Sequence, residues 1–129
     1  MKDKLQKLLS NSYSTYSKVQ VAAILVVKDG KEWKGVNIEN AAFPSSMCAE
    51  RSAFYNAISN GVKPNGFKEL HIASNQPTAL YPCGACVQVI SELFGTEGKI
   101  FIYGPDKVIE HTLADIAPYA INKESFEWK

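Results

Sequence analysis

The sequence predicts an α/β protein, a three-layer α/β/α sandwich around a mixed five-stranded sheet. Two observations carry this reading. A short β-branched run, Val19 to Val27, is followed by Asp29-Gly30, a strong hairpin turn signal. Beyond it, segments with helical spacing alternate with short apolar runs, the order of an α/β sheet.

Each element has its own signal. Residues 2–11 place Leu5, Leu8 and Leu9 on one stripe of a helix. Residues 19–27 form a buried strand, and 31–38 return as its hairpin partner. Residues 48–60 carry small and apolar residues at helical spacing, and Gly61 stops that helix. A strand follows over 67–73, a helix over 84–94, a strand over 99–103 and a weaker strand over 108–111. No repeat, low-complexity stretch or linker interrupts the pattern, so residues 1–129 read as one domain.

Composition narrows the function classes. Hydrophobic residues make up 46% and charged residues 21%, the values of an ordinary globular protein. The formal charge is +1, which offers no field for a nucleic-acid polymer or an anionic membrane surface. No apolar run is long enough to span a bilayer, and Met1 to Leu9 is too polar for a signal peptide. Three cysteines, an odd number, fit a disulfide framework poorly, so a reducing compartment, the cytoplasm, is expected.

Those cysteines are the most informative residues. Cys48 lies in Cys48-Ala49-Glu50-Arg51, and Cys83 and Cys86 lie in Pro82-Cys83-Gly84-Ala85-Cys86, each motif where a helix begins. A helix start favours an anionic ligand through its free N–H groups and the macrodipole. Three thiolates on zinc leave one position for water, the mark of a catalytic rather than a structural site. Glu50, two residues from Cys48, can enter the same cavity and move protons without binding metal. Arg51 can donate to thiolate sulfur and draw off charge that would otherwise weaken the metal as a Lewis acid. A thioredoxin-like Cys-x-x-Cys leaves Cys48 and Glu50 without a role. A structural zinc needs a fourth ligand from His71 or His111, neither of which has ligand spacing to a cysteine; both read as polar residues at strand edges. Inert buried cysteines leave the joint pattern unexplained. The catalytic zinc reading accounts for all four residues.

With Asn37-Ile38-Glu39-Asn40-Ala41 added, the chain from about Tyr16 to Pro118 resembles the small, homotetrameric cytidine deaminases. The resemblance implies zinc-dependent hydrolysis of cytidine and deoxycytidine to uridine and deoxyuridine with release of ammonia. It implies zinc on Cys48, Cys83 and Cys86, with Glu50 as the catalytic proton shuttle. Asn37 and Glu39 would hold the ribose 3′-hydroxyl; two residues apart on a strand, they would face the same way. The Ala49 N–H would meet the base carbonyl, and the Tyr81 carbonyl would accept from the leaving amine. The segment at Ala41 would reach a neighbouring subunit's site.

The chain also departs from the family pattern. Val19 stands where an aromatic usually walls the base, and Phe43 where a tyrosine usually offers a hydroxyl. Ile121 stands where a late aromatic is usual, and Val87 where an arginine often follows the last cysteine. Phe126 and Trp128 could close the pocket instead. These changes bear on substrate identity rather than on the metal chemistry. A related aminopyrimidine nucleoside of the blasticidin type therefore stands as an alternative substrate, and a zinc-stabilised binding domain without catalysis as an alternative class.

Overall fold

The computed structural model describes residues 1–127; Trp128, one of the two tail aromatics, lies outside the described residues. The chain runs α1 (Lys2–Leu9), β1 (Val21–Val27), β2 (Glu32–Val36), a 3-10 turn (Phe43–Ser45), α2 (Ala49–Ser59), β3 (Phe67–Ser74), α3 (Gly84–Leu93), β4 (Lys99–Tyr103), β5 (Val108–Thr112) and α4 (Leu113–Ile116). The five strands form one sheet in the order β2-β1-β3-β4-β5. The β3–β4 pair is parallel and the other pairs are antiparallel, so the sheet is mixed as expected.

Successive side chains of a strand point to opposite faces, and β1 shows why its whole run is apolar. Ala22 and Ile24 pack with Leu5 and Leu9 of α1 and with Ala73 of β3. Ala23 and Leu25 face the other way, into the core with Ala53, Phe54 and Ala57 of α2 and Ile90 of α3. Both faces of β1 are therefore dry, and three layers result. Phe54 is fully buried and meets Phe67 and Phe94 edge-on, with ring centroids 5.1 and 6.3 Å away. Each such pair adds about 0.5–1.5 kcal/mol beyond burial.

Turn chemistry sets the element ends. Gly30 adopts φ +91° in the β1–β2 hairpin, where Asp29 Oδ1 accepts the Lys31 N–H. Gly61, at φ +97°, closes α2: its N–H reaches the Ile58 carbonyl while the Val62 N–H reaches that of Ala57. That pair of bonds is the left-handed helix stop only glycine adopts freely.

Several boundaries differ from the sequence reading. The first strand starts at Val21; Val19 and Gln20 precede it in irregular backbone. The second ends at Val36, so Asn37 and Glu39 lie beyond the strand; Ile38 instead bridges Tyr13 and Met47. The 3-10 turn and α4 are too short to show periodicity, though the Thr112–Asp115 capping box of α4 is a local signal. His71 is not at a strand edge. It lies in the central strand β3, buried, with Nδ1 at 2.8 Å from the Tyr103 hydroxyl and Nε2 at 2.9 Å from Glu69 Oε1. Its ring stacks on Phe101 at 4.7 Å. The apolar environment of a central strand is tolerated because both ring nitrogens are satisfied.

One residue places the site. Gly35 of β2 lies so close to α2 that a Cβ there would be 2.3 Å from the Ala53 nitrogen and 2.5 Å from the Ala49 oxygen. The bare backbone lets the first turns of α2 settle directly on the sheet.

Candidate active site

Cys48 and Cys83 are the N-cap residues of α2 and α3, both in extended backbone and neither capping with its side chain. Their sulfurs are thus left for another partner. Cys86 sits one turn into α3 and is fully buried. The three sulfurs lie within 4.8 Å of one another, and Cys48 Sγ is 3.7 Å from Cys83 Sγ. Two thiolates on one tetrahedral zinc, with bonds of about 2.3 Å, stand about 3.8 Å apart. The donor set therefore fits zinc in both chemistry and spacing. Among the described residues no histidine or carboxylate joins the trio. His71 is committed to Tyr103 and Glu69 on the other side of the sheet, and His111 Nε2 to the Tyr81 hydroxyl at 2.7 Å. Three protein ligands leave a position for solvent or substrate.

The electrostatics favour anionic sulfur. The Cys48 thiol is lowered to about 5, first by a hydrogen bond from Cys86, then by Arg51 and Cys83, against the cost of burial. The Cys86 thiol is pushed up as the partner that keeps the shared proton, with burial adding to the shift. Arg51 Nη2 donates to Cys48 Sγ at 3.4 Å, and this contact holds the guanidinium charged. Arg51 Nε is buried with no hydrogen-bond partner among the described residues.

Glu50 is 5% exposed, a rare burial for a carboxylate that forms no ion pair among the described residues. Burial raises its pKa to about 7; the nearby Cys48 thiolate adds to the rise, and a backbone N–H and Arg51 oppose it. A carboxyl group poised near neutrality can both accept and return a proton.

A cavity of about 530 Å³ joins these groups, within the size range of small-molecule sites. Cys48, Ala49, Glu50, Arg51 and Cys83 line it, together with Asn37 and Glu39. Val19, Phe43 and Tyr81 complete the sequence-derived residues on its wall. Ala49, the first residue of α2, has one of the N–H groups that a helix cannot satisfy internally. Ala41 is exposed and lies off this cavity. Ile121 and Phe126 lie off it too; the Ile121 carbonyl accepts from Gln88 Nε2 at 2.8 Å. Val87 is a half-buried residue of α3, likewise outside the cavity wall.

Loops, rather than a strand, hold the polar pair. Asn37 Oδ1 accepts the Ser12 hydroxyl and the Val21 N–H, while Nδ2 donates to the Val19 carbonyl at 2.8 Å. One amide hydrogen of Asn37 remains for a ligand. Glu39 accepts the backbone N–H groups of Tyr16 and Ser17, each at 3.0 Å, and the Ser17 hydroxyl. The Ser17 hydroxyl is the main reason its carboxyl stays below the usual range. Between Ser17 and Val19, Lys18 takes φ +64°, a conformation uncommon for a side-chain-bearing residue. Sequence reasoning missed Ser12, Ser17 and Lys18, whose isolated polar side chains carry no motif. It also missed Pro44, Ser46 and Met47 on the wall, which belong to the short 3-10 segment and its flank.

Both the layered fold and the sulfur trio beside a buried glutamate define a zinc-dependent deaminase type of protein. The model for the cytidine and deoxycytidylate deaminase zinc-binding region matches residues 1–102. A cytidine deaminase of Sporosarcina psychrophila is 37% identical over 124 residues, 95% of this chain and 90% of that protein. One from Halalkalibacterium halodurans is 34% identical, covering 88% of this chain and 85% of that one. The crystal structure of cytidine deaminase from Burkholderia pseudomallei superposes with a TM-score of 0.87 at 31% identity, over 92% of this chain and 94% of that one. The chain belongs to the cytidine deaminase family.

Proposed function

We propose that this protein hydrolyses the exocyclic amine of a free pyrimidine nucleoside, turning cytidine or deoxycytidine into uridine or deoxyuridine and ammonia. The observation that carries this reading is a single cavity of about 530 Å³ lined by the buried Glu50, by Cys48 and Cys83 of the sulfur trio, and by Asn37 and Glu39. Cys48, Cys83 and Cys86 would hold zinc. Zinc, when bound, supplies the positive charge that activates water for attack on C4 of the base. Glu50 would take one proton from the attacking water and place it on N3, then take the second from the new C4 hydroxyl and deliver it to the amine as the C4–N bond breaks. Arg51 withdraws charge from Cys48 Sγ. The Ala49 N–H would meet the base carbonyl, and the Tyr81 carbonyl the departing amine. The remaining Asn37 amide hydrogen and the Glu39 carboxylate grip the sugar hydroxyl from opposite donor and acceptor sides.

A second substrate reading has one specific support. Val19 and Phe43 line the cavity, and neither brings a polar group to it. A related aminopyrimidine nucleoside of the blasticidin type would need fewer sugar contacts there. No helix among the described residues is long and apolar enough to cross a membrane. Three free cysteines support a reducing compartment, the cytoplasm, and uridine release suits pyrimidine salvage.

Oligomerisation is part of the proposal. Phe43 lines the cavity yet is 77% exposed, and Ala41, two residues earlier, is exposed and does not line the chain's own cavity. Both support a homotetramer in which neighbours complete one another's sites. Light scattering should give about four times the 14.2 kDa chain mass; an active 14.2 kDa species contradicts it.

The deciding experiment is an ultraviolet assay of purified protein with cytidine, deoxycytidine and blasticidin S beside metal analysis. Turnover of cytidine with one zinc per chain is expected. A fully zinc-loaded protein inert to all three refutes the assignment.

A further inference from the structure

Tyr81 and His111 come from distant parts of the chain and form a contact that the zinc chemistry does not use. The Tyr81 hydroxyl lies 2.7 Å from His111 Nε2, and the two rings meet edge to face at 5.3 Å. His111 is on β5, the edge strand, with its side chain 22% exposed. Its Nδ1 points back to Asp115 of α4, with Oδ2 at 3.8 Å. Asp115 is fixed in turn, since Oδ2 accepts the Thr112 N–H at 2.9 Å and its own N–H reaches the Thr112 hydroxyl. A hydroxyl donating to Nε2 leaves the ring proton on Nδ1, facing that carboxylate. The far end of the sheet thus reaches the cavity through one side chain.

Tyr81 and Phe43 are the aromatic side chains on the cavity wall, and Phe43 projects into solvent. Tyr81 is 45% exposed and lines the cavity. A tyrosine at that exposure would sample other rotamers without an anchor at its tip. We infer that His111 is a positioning residue that clamps the Tyr81 ring as the aromatic wall against which the nucleoside lies. This rests on the nucleoside reading of the cavity.

The test compares Tyr81→Phe, His111→Phe, His111→Gln and the double Tyr81→Phe/His111→Phe variant on cytidine, with uridine affinity by calorimetry and zinc content for each. Losing one net hydrogen bond should raise KM and the uridine Kd about three- to tenfold, with kcat changed less than threefold. The double variant should be no worse than either single one, and His111→Gln, which can still accept from the hydroxyl, should recover most of the affinity. Unchanged KM in both single phenylalanine variants overturns the inference, as do additive effects in the double variant. Zinc loss in step with activity overturns it too, by assigning the contact to the Cys83 segment instead. A wild type that neither deaminates cytidine nor binds uridine overturns the nucleoside reading and this inference together. A wild type that does both, beside variants with unchanged KM, overturns this inference alone.

Discussion

Gly35 of β2 and Ala53 of α2 are in direct backbone contact, with room for a hydrogen but not a methyl: a Cβ on Gly35 would lie 2.3 Å from the Ala53 nitrogen. The helix that carries Cys48, Glu50 and Arg51 therefore takes its depth from a missing side chain.

Gly35→Ala must push α2 off the sheet, because the obstructing atoms are backbone and cannot rotate away. Overpacking of this kind costs about 1–3 kcal/mol. Urea unfolding should show that loss, and activity should fall further than stability because Glu50 moves with the helix. A variant with wild-type stability and turnover would remove Gly35 from this role.

Glu50→Gln keeps the shape of the buried side chain and removes its ability to carry a proton. Zinc content should stay at the wild-type level while kcat falls by about three to four powers of ten, the upper end of what a general acid–base contributes. Near-normal turnover in the glutamine variant would refute the shuttle.

Much of this was legible in the chain. The alternation of apolar runs with helical spacing located every strand of the sheet, and the cysteine motifs located the sulfur trio. What escaped is non-local or too short for periodicity. The strand pattern extends over Asn37 and Glu39, yet they hang from loops held by Ser12 and Ser17, bonds that depend on how distant loops meet. His71 looked like an edge residue because strand order is not written in any one strand; β3 turned out to be central. The Gly35 contact is equally invisible, since a glycine in a strand reads only as a weak point.

Arg51→Ala removes the donor to Cys48 Sγ at 3.4 Å. Hydrogen bonds to charged groups are worth about 1.5–3 kcal/mol, so kcat/KM should drop by about one to two powers of ten without vanishing. Arg51→Lys should recover only part, because a point charge lacks the planar fork. An unchanged rate would return Arg51 to the surface.

Glu39 supplies a pH prediction. Its folded-state pKa lies below the ordinary 4.5, chiefly through the Ser17 hydroxyl. The stability this gives is fully present above the unfolded value and is lost as pH falls through the lower folded one. Sugar binding through Glu39 should therefore stay constant from pH 8 down to about 5. Ser17→Ala should move the acid limb of nucleoside affinity upward in pH; an unmoved limb would show that Ser17 does not set this carboxyl.

The sulfurs sit on helix starts anchored in the core, whereas Asn37 and Glu39 hang from surface turns stitched by serines. On the proposed assignment, reaction type and substrate taste are housed in separate parts of the molecule. An engineer, or natural drift, can retailor the turns for another sugar while the chemistry underneath keeps running, and Val19 and Phe43 are the places where such retailoring would first be written.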